Sequence, residues 1–278
     1  MKYNFNRKID VPCGKYTLHL GTKTYIMGIL NVTPDSFSDG GSYVNVDVAI
    51  EHAKQMITEG ADIIDIGGES TRPGSAEVDA TEELRRVLPV VEKLVQEIDA
   101  PISVDTYKAE VADQVLSAGA HMINDVWGLQ RDADLANIIA KHDVPIVVMH
   151  NQLGTNYEKD IMEEISTFLK KSIQIALDAG VKKEKIILDP GIGFGKTAEQ
   201  NIEVMNRLDE LNNLGYPILL GTSRKSTIGK ILDLPPHERV EGTLATSVIG
   251  IMHGMDILRV HDIKENLRAA KVADAIVR

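Results

Sequence analysis

The chain has 278 residues, 43% of them apolar, and its 41 acidic against 30 basic side chains leave a formal charge of −11. That apolar content excludes disorder as the main state, because each buried aliphatic side chain contributes roughly 1.5–3 kcal/mol against chain entropy. The acidic balance gives no general attraction for nucleic acid or anionic lipid, so any affinity for phosphate has to be local. The length exceeds the common single-core size of roughly 100–200 residues and approaches the about 250 of one α/β barrel, which leaves one large domain or two small ones. The single cysteine, Cys13, excludes an intrachain disulfide framework and a thiolate zinc site, and points to an inert thiol in a reducing, cytoplasmic setting. The first ten residues lack the apolar stretch of a signal peptide, and no segment nears the ~18 uninterrupted apolar residues of a membrane span.

In chain order, residues 1–24 hold a short alternating stretch at 15–20 between Gly14 and Gly21, which reads as a hairpin closing the bottom of a barrel. Eight short apolar runs then recur, at 25–32, 61–68, 101–106, 122–126, 145–150, 186–192, 217–223 and 257–262. They are continuous and rich in Ile and Val, as strands covered on both faces are. Between them lie helical stretches with apolar residues three and four apart, among them 46–59, 81–98, 158–179 and 197–211. Gly60, Gly119, Gly180 and Gly215 each close a helix before a strand begins. The charge run 182–185 reads as a solvated turn. Eight such units predict an α/β protein, a (β/α)8 TIM barrel over residues 25–278 with a hairpin extension over 1–24; a doubly wound open sheet is the alternative. No linker or shift in composition supports two domains.

In such a barrel the carboxyl ends of the strands face the active site. Here they are polar almost throughout: Asn31, then Gly67-Gly68-Glu69-Ser70, Asp105, Asn124 with Asp125, His150, Asp189, Ser223, and Arg259 with His261. Capping of the following helices accounts for some, Ser223 or Asp125 for instance, but not for the whole ring. Asp105, Asn124 and Asp189 match a flat nitrogen heterocycle with several N–H donors, since a carboxylate accepts two parallel bonds. Lys225, Arg259 and His261 supply cationic donors for a phosphorylated leaving group. Two long glycine-bearing loops, 31–41 with Phe37 and 67–74 with Arg72, read as lids. The run Gly191-Ile192-Gly193-Phe194-Gly195-Lys196 has the wrong spacing for either common nucleotide-phosphate loop and fits a close backbone approach to a flat ligand. Gly221-Thr222-Ser223-Arg224-Lys225-Ser226 leaves a strand and opens a helix, where amides with Lys225 and Ser226 suit an anion. No HExxH, paired cysteines or close histidine pair argues for zinc, and His19, His52, His121, His142, His237 and His253 read as ordinary residues. A diphosphate leaving group would bring Mg2+ bound chiefly by phosphate and water, with a protein oxygen such as Asn31.

From residue 25 to the carboxyl terminus the chain resembles the dihydropteroate synthases of the bacterial folate pathway. The resemblance rests first on Met27-Gly28-Ile29-Leu30-Asn31-Val32-Thr33-Pro34-Asp35-Ser36-Phe37-Ser38-Asp39-Gly40-Gly41 and Gly60-Ala61-Asp62-Ile63-Ile64-Asp65-Ile66-Gly67-Gly68-Glu69-Ser70-Thr71-Arg72-Pro73-Gly74. The blocks Ser103-Val104-Asp105-Thr106, Ile123-Asn124-Asp125, Asp189-Pro190-Gly191-Ile192-Gly193-Phe194-Gly195-Lys196 and Arg259-Val260-His261-Asp262 follow in the family's order, with the 221–226 segment between the last two.

The resemblance implies a Mg2+-dependent transferase that joins 6-hydroxymethyl-7,8-dihydropterin diphosphate to 4-aminobenzoate and releases diphosphate. It implies a cytoplasmic homodimer sensitive to sulfonamides, acting on small molecules with no nucleic acid or membrane partner. By similarity Asp189 and Asn124 hold the aminopyrimidinone edge, Asp105 a ring nitrogen and Lys225 the carbonyl side, with Met149 and Phe194 packing nearby. Asn31, Thr71, Arg259 and His261 take the diphosphate, with the metal at Asn31. Ser226, Phe37, Thr71, Arg72 and Pro73 form or cover the aminobenzoate pocket. The chemistry itself falls to Asp105, Lys225, Arg259 and His261. The alternatives are a methyltetrahydrofolate-dependent methyltransferase, which needs neither Arg259 nor His261, and a pterin-binding protein without catalysis.

Overall fold

The computed structural model describes residues 8–33, 46–70 and 77–278. Eight strands, β3 (Tyr25–Asn31), β4 (Ile63–Gly67), β5 (Ile102–Asp105), β6 (Met122–Asp125), β7 (Ile146–Met149), β8 (Ile186–Asp189), β9 (Leu219–Leu220) and β10 (Ile257–Val260), run parallel in the order β8-β7-β6-β5-β4-β3-β10-β9. A parallel bridge between Leu188 of β8 and Ile218, just ahead of β9, brings the two ends of the sheet together into a nearly closed barrel. Each expected apolar run supplies one strand. The one at 217–223 is the shortest, because Gly221 and the polar residues after it leave the ladder early.

Nine helices surround this sheet among the described residues: α1 (Val46–Glu59), α2 (Ala80–Glu97), α3 (Ala109–Ser117), α4 (Leu135–His142), α5 (Ile161–Asp178), α6 (Ala198–Asn206), α7 (Ser226–Leu232), α8 (Val240–Met252) and α9 (Ile263–Val277). Carboxylates and a capping box set their starts. Asp79 accepts from the Glu82 amide, Asp160 from those of Met162 and Glu163, and Thr197 with Gln200 forms a reciprocal box on α6. No helix among the described residues is long and apolar enough to cross a membrane.

Two sequence expectations need correction. The helix expected over 197–211 stops at Asn206, and Leu208–Leu214 continues as a 3-10 helix. Its leucines at 208, 211 and 214 recur every third residue, which a 3-10 turn places on one face, and the first two of them are buried. The charge run 182–185 is not wholly solvated either. Lys185 is buried and turns back to Asp143, pairing with its Oδ1 at 2.8 Å.

Side chains alternate across each strand, and the alternation positions the site. The outward residues, such as Ile26, Leu30, Ile64, Ile66, Val104, Ile123, Val148, Leu188 and Leu258, pack with the helices in the main core. The inward residues nearest the amino ends are Met27, Ile63, Met122, Val147, Ile187, Leu219 and Ile257, and they form a separate apolar layer. Below it lies the hairpin, β1 (Ile9–Cys13) and β2 (Tyr16–Leu20), antiparallel with Val11 opposite Leu18. Its Val11, Cys13, Leu18 and Leu20 complete the layer and plug the barrel bottom. Burial pushes the Cys13 thiol up to about 12, so it stays protonated and inert.

Candidate active site

Two residues beyond the apolar layer, the inward positions become Asp65, Ser103, Asn124, Met149, Asp189, Gly221 and Arg259, and above them stand Asn31, Gly67, Asp105 and His261. Charge inside a barrel is tolerated only when it is paired. Arg259 supplies the pairing: its Nε donates to Asp65 Oδ2 at 2.6 Å and its Nη2 to Asp105 Oδ2 at 2.8 Å. Asp65 Oδ2 also accepts from Asn124 Nδ2 at 3.1 Å. Burial opposes the guanidinium's charge, but the two carboxylates outweigh it and hold its pKa above the ordinary value. Burial raises Asp105 above the usual carboxylate range, although Arg259 works the other way. The second oxygens of both carboxylates, Asp65 Oδ1 and Asp105 Oδ1, are buried without a hydrogen-bond partner among the described residues. A donor from a bound ring would satisfy that of Asp105.

Glycines at inward positions provide the room. A Cβ on Gly67 would stand 3.9 Å from Asp105 Cβ and 3.5 Å from Asn31 Oδ1; one on Gly221 would stand 3.9 Å from Arg259 Cβ and 4.0 Å from Asp189 Oδ2. Beside this slot Tyr107, Val126 and Met149 make a small apolar cluster, with Trp127 and Phe194 against it. A cavity of about 450 Å3 continues outward along Tyr107, Trp127, Gln152 and Phe194.

On the far side of the slot, Asp189 accepts from the Gly191 amide at 2.7 Å, and burial raises its pKa against the pull of Lys225. Lys225 is lowered to about 8 by burial, with Asp189 opposing. Its Nζ donates to the Ile192 carbonyl and lies 4.4 Å from the centre of the Phe194 ring. A second lysine grips the same loop from behind. Lys196 Nζ, buried, donates to the carbonyls of Gly191 at 2.9 Å and Phe194 at 3.1 Å, and meets His150 Nδ1 at 2.9 Å. Burial lowers Lys196 to about 7 and the His150 imidazole to about 3, so the histidine is neutral and accepts. Gly191 has φ +69°, and a Cβ there would fall 1.9 Å from the His150 carbonyl, so only glycine lets the loop fold this closely.

At the rim, His261 Nδ1 lies 2.9 Å from Ser223 Oγ, which also accepts from the His261 amide at 3.2 Å; Ser223 thus orients the imidazole. Asp125 does not cap the following helix, which starts at Leu135; its oxygens accept from the amides of Trp127 at 2.7 Å and Leu129 at 2.5 Å in the turn that follows β6. The stem of the second loop is fixed to α2. Lys108 bridges Glu69 and buried Glu83, and Arg86 donates to the Gly68 carbonyl at 2.8 Å.

Asp105, Asn124, Met149, Asp189, Phe194, Lys225 and Arg259 thus stand around one slot, with Asn31, His261 and Ser226 at the ends of their strands or the start of α7. Phe37, Thr71, Arg72 and Pro73 lie outside the described residues. Asp65 and Lys196 are the residues that strand-end reading misses. A carboxylate inside the run Ile63-Ile64-Asp65-Ile66 was the available signal for the first, since such a charge needs a buried partner.

The family described as pterin binding enzyme matches residues 27–261. A relative named dihydropteroate synthase from Clostridium beijerinckii is 59% identical, over 95% of this chain and 98% of its own. Among solved structures, dihydropteroate synthase from Clostridium difficile in the presence of pteroic acid is 64% identical, with TM-score 0.92 and coverage of 94% and 99% of the two chains. The Xanthomonas albilineans dihydropteroate synthase with 4-aminobenzoic acid is 41% identical, TM-score 0.92, over 97% and 98%.

Proposed function

The chain belongs to the pterin-binding enzyme family, among the dihydropteroate synthases, and from that premise we propose that it joins 6-hydroxymethyl-7,8-dihydropterin diphosphate to 4-aminobenzoate, releasing diphosphate and 7,8-dihydropteroate. The observation that carries the reading is one slot that joins carboxylates and an amide with cationic donors: Asp65, Asp105 and Asn124 beside Arg259, which pairs with both carboxylates, and His261 at the rim. The domain assignment follows the same line, with residues 25–278 as the pterin-binding unit and 1–24 as its extension.

An arylamine is neutral at pH 7 and already nucleophilic, so attack needs no strong base. The harder event is cleavage of the CH2–O bond, in which the bonding pair leaves with the diphosphate. The electron-rich dihydropterin shares the developing positive charge. Asp105, whose Oδ1 lacks a partner among the described residues, stabilises that cation, while Arg259 and His261 receive the departing anion. The amine nitrogen then bonds to the methylene carbon and gives its proton to solvent. Lys225 and Asp189 hold the ring, and Met149 and Phe194 exclude water from its faces. Ser226, Phe37, Thr71, Arg72 and Pro73 are assigned to the aminobenzoate side, with Thr71 also at the diphosphate.

For Mg2+ the donor set fits. Asn31 offers a neutral amide oxygen at the rim beside Gly67. That sparse set suits an ion held mainly by diphosphate oxygens and water, which when bound adds positive charge beside the leaving group.

Homodimerisation is proposed through the outer surface of α7, α8 and α9. Their Ile231, Leu232, Ile249, Met252, Val272 and Ile276 are all exposed, and α8 carries Glu241 as its only charge. A helix apolar on all sides calls for burial on all sides. A cytoplasmic setting agrees with the single unreactive cysteine.

Incubation with both substrates and Mg2+, following diphosphate and dihydropteroate, tests the reading. Stoichiometric formation of the two, dependent on 4-aminobenzoate, is expected; diphosphate release indifferent to 4-aminobenzoate refutes it.

A further inference from the structure

Asp65 is fully buried in the middle of β4, in the same inward layer as Asn124 and Arg259. A single oxygen, Oδ2, accepts both Asn124 Nδ2 and Arg259 Nε. These two bonds do different things. An ionised carboxylate only accepts, so it fixes the amide of Asn124 with nitrogen toward Asp65. Asn124 then presents its carbonyl oxygen and its remaining N–H, one acceptor beside one donor. On Arg259 the bond from Nε, together with that from Nη2 to Asp105, fixes the plane of the guanidinium, and neither bond uses Nη1. Asp65 therefore sets both a ring-reading amide and an anion-reading guanidinium through one oxygen.

We propose that Asp65 is a positioning residue which, through one buried carboxylate oxygen, selects the donor and acceptor face that Asn124 offers the pterin and aims Arg259 at the diphosphate. The proposal rests on the pterin diphosphate reading of the slot. Asn124 held this way recognises a ring edge where an N–H neighbours an unprotonated nitrogen. It disfavours edges with two donors or two acceptors, because each leaves one buried amide group unsatisfied.

Removing the carboxylate has effects of opposite sign. In Asp65→Asn the amide of Asn124 loses its fixed orientation, so binding of 6-hydroxymethyl-7,8-dihydropterin weakens by about tenfold, the worth of one buried hydrogen bond. The amide oxygen that replaces the carboxylate oxygen still accepts from Arg259 Nε and keeps the guanidinium aimed, while the cluster loses one negative charge beside it, so affinity for inorganic diphosphate with Mg2+ is retained or rises. A purely structural loss lowers both affinities together. The swap Asp65→Asn with Asn124→Asp keeps a donor-to-acceptor bond between the two positions and the cluster's net charge. It regains the wild-type melting temperature but not pterin affinity, because a carboxylate at 124 offers no N–H.

Calorimetric titration of wild type and both variants with each ligand, alongside melting curves, decides the matter. Parallel loss of both affinities in Asp65→Asn, unchanged pterin affinity there, or recovery of pterin affinity in the swap overturns the proposal. Wild-type protein that forms no dihydropteroate would instead strike the functional reading, since that result does not depend on the variants.

Discussion

Replacing Lys196 with Met tests how the glycine loop is held. The ammonium has three partners, the Gly191 and Phe194 carbonyls and His150 Nδ1, all within 3.1 Å. Hydrogen bonds to a charged group contribute about 1.5–3 kcal/mol each, and a buried carbonyl stranded without a donor costs about 1–3 kcal/mol. Against this stands the burial of the charge itself, visible in a pKa lowered to about 7, so that near neutrality roughly half the amine is uncharged and its bonds are correspondingly weaker. The net loss comes to about 2 kcal/mol, a fall of roughly 5 °C in melting temperature for a chain of this size. The same loop carries Phe194 and the Ile192 carbonyl that Lys225 engages, so its loosening raises the KM for pterin diphosphate by about tenfold while kcat stays within about threefold. Melting curves and initial rates over a range of pterin concentrations read both effects. A variant with wild-type melting temperature and wild-type KM would show that the loop stands without Lys196 and refute this account of it.

Asp105→Asn keeps shape and removes the charge that would face the developing cation; kcat falls about 100-fold or more with pterin KM nearly unchanged, and equal losses in both argue against dissociative substitution. The Lys225 ammonium, lowered to about 8, is lost as pH rises from 7 to 9, so pterin affinity declines across that window in wild type and is flat in Lys225→Met. For stability the sign is opposite: a lysine whose folded pKa lies below its unfolded value destabilises the fold below about 8, and that penalty is relieved as pH climbs toward 10.5. Met252→Glu with Val272→Glu introduces charge on exposed apolar positions of α8 and α9; sedimentation is expected to give a monomer where the wild type gives a dimer, and an unchanged dimer moves the interface elsewhere.

What was legible in the sequence and what was not divides along the distance between interacting residues. The strand runs stand out because parallel strands buried on both faces need continuous Ile and Val, and the helices because their apolar residues recur three and four apart. Asp105, Asn124, Asp189 and Arg259 were accessible because each is the last or next-to-last residue of its strand, where a barrel opens to its site. Asp65 escaped that rule by standing two residues earlier, yet the period of two along β4, Ile63 then Asp65 then Gly67, puts all three on the inner face. Lys196 was hidden within a motif whose glycines drew attention to phosphate, and Lys185 within a run of like residues that normally faces water.

In each case the missing information is the partner: Arg259 is 194 residues from Asp65, His150 is 46 from Lys196, and Asp143 is 42 from Lys185. A buried charge in a sequence announces that a polar partner exists without saying where. The barrel supplies the answer by closure, because β10 pairs with β3 and β3 with β4, which brings the last strand's arginine beside the carboxylate of the second barrel strand. The site's electrostatics are therefore a consequence of closing the sheet. A variant that weakens the β10–β3 seam should disturb the pterin slot before it disturbs the helices around it.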